Sequence, residues 1–170
     1  KILTVKLMDG LKWSDGEDFT AKDVVFTLNE IQMVDETGSR YKSGLFVGDD
    51  PTVWELVDEL TFKITFPTVY ADPLSMASTL YYPEHIFAPL IASEGAAAVA
   101  SFWGVDTDVT EVVGNGPFVI KEYVPNQYVS MKPNPYYHLK DDNGVQLPYI
   151  EEFVYIIVED QDTQLEKFLA

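Results

Sequence analysis

Apolar and polar residues alternate from the first turn of the chain. In KILTVKL, Leu3, Val5 and Leu7 share one face and Thr4 and Lys6 the other, which predicts a strand starting almost at residue 1. The cleanest alternation is ELTFKITFP. Leu60, Phe62, Ile64 and Phe66 face one way, Thr61, Lys63 and Thr65 the other, and Pro67 ends the run. Helical spacing begins after Thr20, where Val24, Val25, Leu28, Ile31 and Gln32 recur and the apolar four form a core face. Thr20 is the expected N-cap, Asp23 completes a capping box with Asp in place of Glu, and Phe19 can staple onto Val24.

Further along, GNGPFVIKEYVPNQYVSMKPNPYY reads as a glycine turn, a strand, a Pro-Asn turn and a second strand, which together make a hairpin. EEFVYIIVED is apolar on both faces from Phe153 to Val158, the pattern of a strand covered on both sides. In DTQLEKFLA, Leu165, Phe168 and Leu169 sit at helical spacing behind Asp162 or Thr163 as N-cap. Residues 35–55 form a polar, glycine-bearing loop. ADPLSMASTLYYPEHIFAPLIA mixes short helices with breaks at Pro73, Pro83 and Pro89, and EGAAAVASFWG allows a helix bounded by Gly95 and Gly104. The elements predict an α/β fold: a mixed sheet with flanking helices. The opening without Met and the last helix ending after about two turns read as the ends of a fragment, one partial domain over 1–170 with a subdomain insertion at 35–110.

Composition narrows the chemistry. The chain has 170 residues, 46% hydrophobic and 14% aromatic, enough for a packed core. A net charge of −17 repels phosphate backbones and argues against a nucleic-acid partner. With no cysteine and only His85 and His138, disulfides, thiolate metal sites and a three-histidine zinc site are excluded. No apolar run reaches the roughly 20 residues that span a bilayer.

The acidic motifs read as turns. DTDVTE, Asp106–Glu111, opens like a calcium loop, but Glu111 and Pro117 occupy the positions that need Gly and Glu. DDNG, Asp141–Gly144, and EDQD, Glu159–Asp162, fit a solvated turn and an N-cap cluster better than a cation site. GNGPF lacks a following Lys-Ser/Thr, and Pro117 removes a backbone donor, so it is not a phosphate loop. No metal or cofactor is implied. Trp13, Trp54 and Trp103 are expected in packing, His85 at a helix end or the surface, and His138 exposed.

Three ordered stretches resemble one family. VKLMDGLKWSDGEDFTAKDVVFTL is similar to the signature region of the extracellular solute-binding proteins of the peptide/nickel type, family 5, which serve ATP-binding-cassette importers. VGNGPFVIKEYVPNQYVSMKPNPYYH resembles that family's glycine-proline strand, hairpin and Asn-Pro-Tyr-Tyr stretch, with Asn115 where Thr is usual. LPYIEEFVYIIVEDQDTQLEKFLA resembles the family's next segment, a Leu-Pro-Tyr lead-in, a buried strand and a helix start. The resemblance covers nearly the whole chain, with residues 35–58 and 92–110 matching loosely. It implies part of the N-terminal lobe of a periplasmic-binding-protein-like type II fold, whose two lobes close over a solute.

The resemblance also implies what the lobe does. Its ligand contacts come from loops at the cleft edge, which correspond by motif to Tyr81, Tyr82 and Asn115 and by position to Tyr41 and Phe46. Core packing is the rival role for each, evenly balanced at Tyr81 and Tyr82. The implied function is non-covalent capture of a small solute, of oligopeptide type, for delivery to permease subunits. It is extracytoplasmic, in the periplasm or as a cell-surface lipoprotein, with any membrane attachment through an anchor outside these residues. Peptides, nickel chelates, oligosaccharides and opines all use this scaffold. Two other readings stay open. A glycoside hydrolase would need two carboxylates about 5–10 Å apart. An adhesion or protein-interaction module would show a contiguous exposed apolar patch of more than a few hundred Å².

Overall fold

Alternation along Thr61–Thr65 places Phe62 and Ile64 on one face of a strand, and that face is where the core forms. The computed structural model describes residues 1–158 and 160–169. The chain divides into two units, one of residues 1–11 and 17–106, the other of residues 12–16 and from 107 onward.

In the first unit, β1 (Ile2–Lys6), β4 (Val53–Asp58) and β5 (Thr61–Thr65) form an antiparallel sheet in the order β1-β5-β4. Leu3 lies opposite Ile64 and Val5 opposite Phe62, as their alternation requires. Phe62, Ile64 and Phe66 are buried, and Trp54 of β4 stacks on Phe62 at 5.8 Å. Burial of each large side chain contributes about 1.5–3 kcal/mol. A short hairpin pairs β2 (Phe46–Val47) with β3 (Asp50–Pro51).

Helix α1 (Ala21–Phe26) begins at Thr20 with the expected capping box. The Thr20 side chain accepts a backbone N–H of the first turn, and the Asp23 carboxylate accepts the Thr20 N–H at 2.8 Å. The helix widens into a π-type turn over Thr27–Gln32. Ala21, Val24, Leu28 and Ile31 are buried, and Val25 is half-buried. Gln32, polar and fully buried, donates from Nε2 to the Leu80 carbonyl at 2.8 Å and to Thr79 Oγ1 at 2.9 Å.

Helix α2 (Glu84–Glu94) runs through Pro89, where the spacing predicted a break. Its face supplies the compensation: Phe87 and Leu90 bury against Ile31, with Tyr82 and Trp103 packed on the same cluster. Phe87 packs edge-to-face with Trp103 at 4.8 Å and with Tyr82 at 5.0 Å. Those contacts outweigh one backbone bond that a proline cannot make. The helix expected within EGAAAVASFWG is one short 3-10 segment, Ala96–Ala100.

In the second unit, β6 (Phe118–Val124), β7 (Tyr128–Pro133) and β8 (Phe153–Ile156) form an antiparallel sheet in that order. The β6–β7 hairpin is the expected one, turning at Asn126 with φ 60°. β8 departs from expectation: its four residues are all exposed rather than covered on both sides. As the last strand in the order it pairs, among the described residues, with β7 alone. Helix α3 (Gln161–Leu169) is capped earlier than expected: the Asp160 carboxylate accepts both the N–H and the hydroxyl proton of Thr163. Glu159 lies outside the described residues. Trp13 is buried in this unit, and Gly16, at φ +97°, lies where a Cβ would come within 3.1 Å of the Tyr136 ring.

Candidate functional site

Asp23 sets the first side of the site. Besides closing the capping box, it accepts the Glu84 N–H at 3.0 Å, so one buried carboxylate joins the start of α1 to the start of α2. Thr27 adds a second tie: its hydroxyl accepts the Tyr82 N–H at 2.8 Å and donates to the Tyr82 carbonyl at 3.3 Å. With Gln32 on Thr79 and Leu80, three polar side chains of one helical run hold residues 79–84 in place. That is why Tyr81 and Tyr82 have defined positions in a segment without regular structure.

The two tyrosines diverge. Tyr81 turns toward the core: its ring meets Phe19 edge-on at 5.7 Å, and its hydroxyl donates to the Ala77 carbonyl. Burial pushes its phenol up to about 12. Tyr82 packs edge-to-face with Phe87 and lines a cavity of about 300 Å³ with Ile31, Ser39, Arg40, Tyr41 and Val99. Burial raises the Tyr82 phenol above its ordinary range, and the neighbouring Tyr41 phenol adds to the rise. Tyr41 and Tyr82 therefore meet in one cavity although far apart in the chain.

The turn that presents Tyr41 is built locally. Thr37 donates its hydroxyl to the Ile31 carbonyl at 2.7 Å, Gly38 takes φ +68°, and Ser39 Oγ accepts the Tyr41 N–H at 3.3 Å. A 3-10 turn, Lys42–Leu45, follows and buries Leu45. Phe46, next in line, opens β2 opposite Pro51 and is half-buried; it does not line the Tyr41–Tyr82 cavity.

Asn115 belongs to the second unit, exposed on a loop fastened at both ends. Ser14 exchanges hydrogen bonds with Gly114, its N–H donating to the carbonyl at 2.9 Å and its Oγ accepting the N–H at 3.1 Å. The buried Asn134 donates from Nδ2 to the Gly116 carbonyl at 2.8 Å, and its N–H reaches the Pro117 carbonyl at 2.9 Å. A larger cavity of about 590 Å³ lies in the same unit, lined in part by Glu122, Tyr128, Ser130, Glu152 and Val154. None of the candidate binding residues named from the sequence lines it.

The acidic motifs behave as turns. Asp108 accepts the Thr110 N–H and hydroxyl, and these bonds hold its carboxyl below the usual range. Asp141 accepts the Tyr149 hydroxyl first and then the N–H groups of Val145 and Asn143, with the same downward effect. Among the described residues, no group of three or more His, Asp or Glu side chains could hold a metal ion. No helix among them is long and apolar enough to cross a membrane.

The family model of the bacterial extracellular solute-binding proteins, family 5 Middle, matches residues 1–170. The chain belongs to that family. A Deinococcus radiodurans protein named "Probable ABC transporter-binding protein" is 30% identical over 174 residues, covering all of this chain and 29% of its own length. The oligopeptide-binding protein AppA of Bacillus subtilis is 28% identical over 172 residues, covering 98% of this chain and 28% of its own length. Among solved structures, the ABC transporter substrate-binding protein CtaP of Listeria monocytogenes superposes with a TM-score of 0.69 at 31% identity, covering 96% of this chain and 30% of that one. The chain thus spans under a third of the length of the family members it matches. Its mixed helices and sheets are part of a lobe of the family 5 fold.

Arg40 is not among the residues that the sequence brings forward, yet it lines the same cavity as Tyr41 and Tyr82. A signal was available: it is the single arginine among 11 basic residues.

Proposed function

We propose that this chain is part of an extracytoplasmic solute-binding protein that captures an oligopeptide for an ATP-binding-cassette importer. The observation that supports this most is membership in family 5 along the whole chain, beside an oligopeptide-binding relative that aligns over 98% of it. Capture is non-covalent. A solute docks, a hinge closes over it, and the closed form is recognised by permease subunits. No bond is made or broken, so the protein is a binder and not an enzyme.

The contact we propose within these residues is the Tyr41–Tyr82 cavity. Rigid aromatic side chains with polar tips suit a binding wall, because they supply contact area at low entropic cost and a hydrogen bond at the end. Asn115 is a second contact, an exposed amide on an anchored loop. Tyr81 and Phe46 are the remaining candidate contacts of the first unit, Tyr81 held through Phe19 and Ala77 and Phe46 through its hairpin. A thermal-shift panel on the full reading frame carrying this chain tests the reading. Tripeptides to pentapeptides should raise the melting temperature, while oligosaccharides and nickel-histidine should not. A panel in which only a sugar or a metal chelate stabilises would replace the peptide assignment.

A further inference from the structure

Arg40, Tyr41 and Tyr82 line one cavity, and among the described residues their side-chain donors are not used by the fold. Arg40 makes no ion pair or hydrogen bond among the described residues, and neither the Tyr41 nor the Tyr82 hydroxyl has a hydrogen-bond partner there. The chain has 28 acids and this one arginine, and its exposed guanidinium keeps a planar fork of donors that fits a carboxylate. A candidate partner sits close by in sequence and is taken: Lys42 Nζ holds Asp35 Oδ1 at 2.6 Å. Ile31 and Val99 give the cavity an apolar wall. At about 300 Å³ the space suits one amino-acid-sized group rather than a whole oligopeptide.

We propose that this cavity is a carboxylate subsite, in which the Arg40 fork and the Tyr41 and Tyr82 hydroxyls receive a carboxylate while Ile31 and Val99 receive the attached apolar atoms. The subsite rests on the reading of this protein as a peptide binder, and it specifies which part of a peptide the first unit holds. The chemistry is shared by a peptide's C-terminus and by an acidic side chain. A guanidinium presents two parallel N–H groups that match either carboxylate, and charge-assisted bonds of this kind are roughly twice as strong as neutral ones. Burial, with the neighbouring Tyr41 phenol adding to it, disfavours ionisation of Tyr82, so the Tyr82 hydroxyl remains a donor at neutral pH.

The 170-residue chain permits a local test. Its one arginine gives one side-chain Nε–H correlation in a nitrogen-15 spectrum, readable whatever happens elsewhere. Three probes are titrated at low salt: N-acetylphenylalanine for a C-terminal carboxylate, N-acetylaspartate α-amide for a side-chain carboxylate, and neutral N-acetylphenylalaninamide. One or both acids should shift the Arg40 signal, and the neutral amide should leave it in place. Whichever acid binds more tightly identifies the source. Arg40→Gln should weaken the preferred acid about tenfold or more, and Tyr82→Phe less. Arg40 is exposed, so its loss should leave the dispersed amide spectrum intact. No shift with either acid, an equal shift with the amide, or unaltered binding in Arg40→Gln overturns the subsite. Those results leave peptide capture by the full reading frame untouched, since that is read by thermal shift with whole peptides.

Discussion

The carboxylate of Asp23 accepts the backbone N–H of Glu84 at 3.0 Å across 61 positions of sequence. It also accepts the Thr20 N–H, so a residue recognisable as a local cap is at the same time a tertiary bond. Asp23→Ala removes both acceptors and leaves two N–H groups without them, at a cost of about 2–4 kcal/mol. Thr20→Ala removes only the cap, about 1 kcal/mol. Urea unfolding midpoints rank the two. Equal losses would mean that the bond to Glu84 contributes nothing.

Gln32 is the buried polar residue that holds the tyrosine segment from below. Gln32→Leu keeps the volume but leaves the Leu80 carbonyl without its donor, costing about 1–3 kcal/mol. Because residues 79–82 carry Tyr82 into its cavity, the variant should also lose peptide affinity in the full reading frame. Retained affinity at reduced stability would show that the segment keeps its position without Gln32.

Tyr81 and Tyr82 differ in what their hydroxyls do, and pH should reveal it. Burial raises the Tyr81 phenol to about 12, above an unfolded value near 10. The folded state therefore holds its proton longer than the unfolded one. The stability linked to Tyr81 is fully present below pH about 10 and is lost as pH rises through about 12. The alkaline ultraviolet difference between the parent and Tyr81→Phe isolates this group from the other nine tyrosines. A Tyr81 transition near the ordinary phenol range would contradict its burial.

Gly16 marks the one glycine where both backbone and space exclude a side chain. With φ at +97° and the Tyr136 ring 3.1 Å from where a Cβ would stand, Gly16→Ala should destabilise by about 1–3 kcal/mol. Gly10→Ala, also at positive φ but with open space around it, should cost less. Thermal melts of the two variants compare strain alone with strain plus collision, and equal shifts would mean that the Tyr136 ring yields freely.

Much of the scaffold was legible because it rests on short-range rules. The alternation in ELTFKITFP located the buried face of Phe62, Ile64 and Phe66, and Thr20 with Asp23 located a helix start. The Pro-Asn turn marked a hairpin for the same reason. What escaped depends on what lies opposite. An apolar run such as Phe153–Ile156 states what a strand can bury, not what covers it, and here the strand is exposed. Pro89 breaks a helix by local rules, but Phe87 and Leu90 hold that helix against Ile31. Tyr41 and Tyr82 stand out one by one in the sequence; only folding shows that they share a cavity, and that Arg40 shares it with them.

The most direct test of peptide capture is a calorimetric titration of the full reading frame with a pentapeptide, run in parallel on the Tyr82→Ala variant. The parent should bind saturably, and intact peptide should be recovered afterwards by mass spectrometry. Tyr82→Ala should weaken affinity on the order of tenfold or more, the expected cost of a buried aromatic contact. Absence of heat with peptides, cleavage of the peptide, or identical affinity in the variant would contradict this.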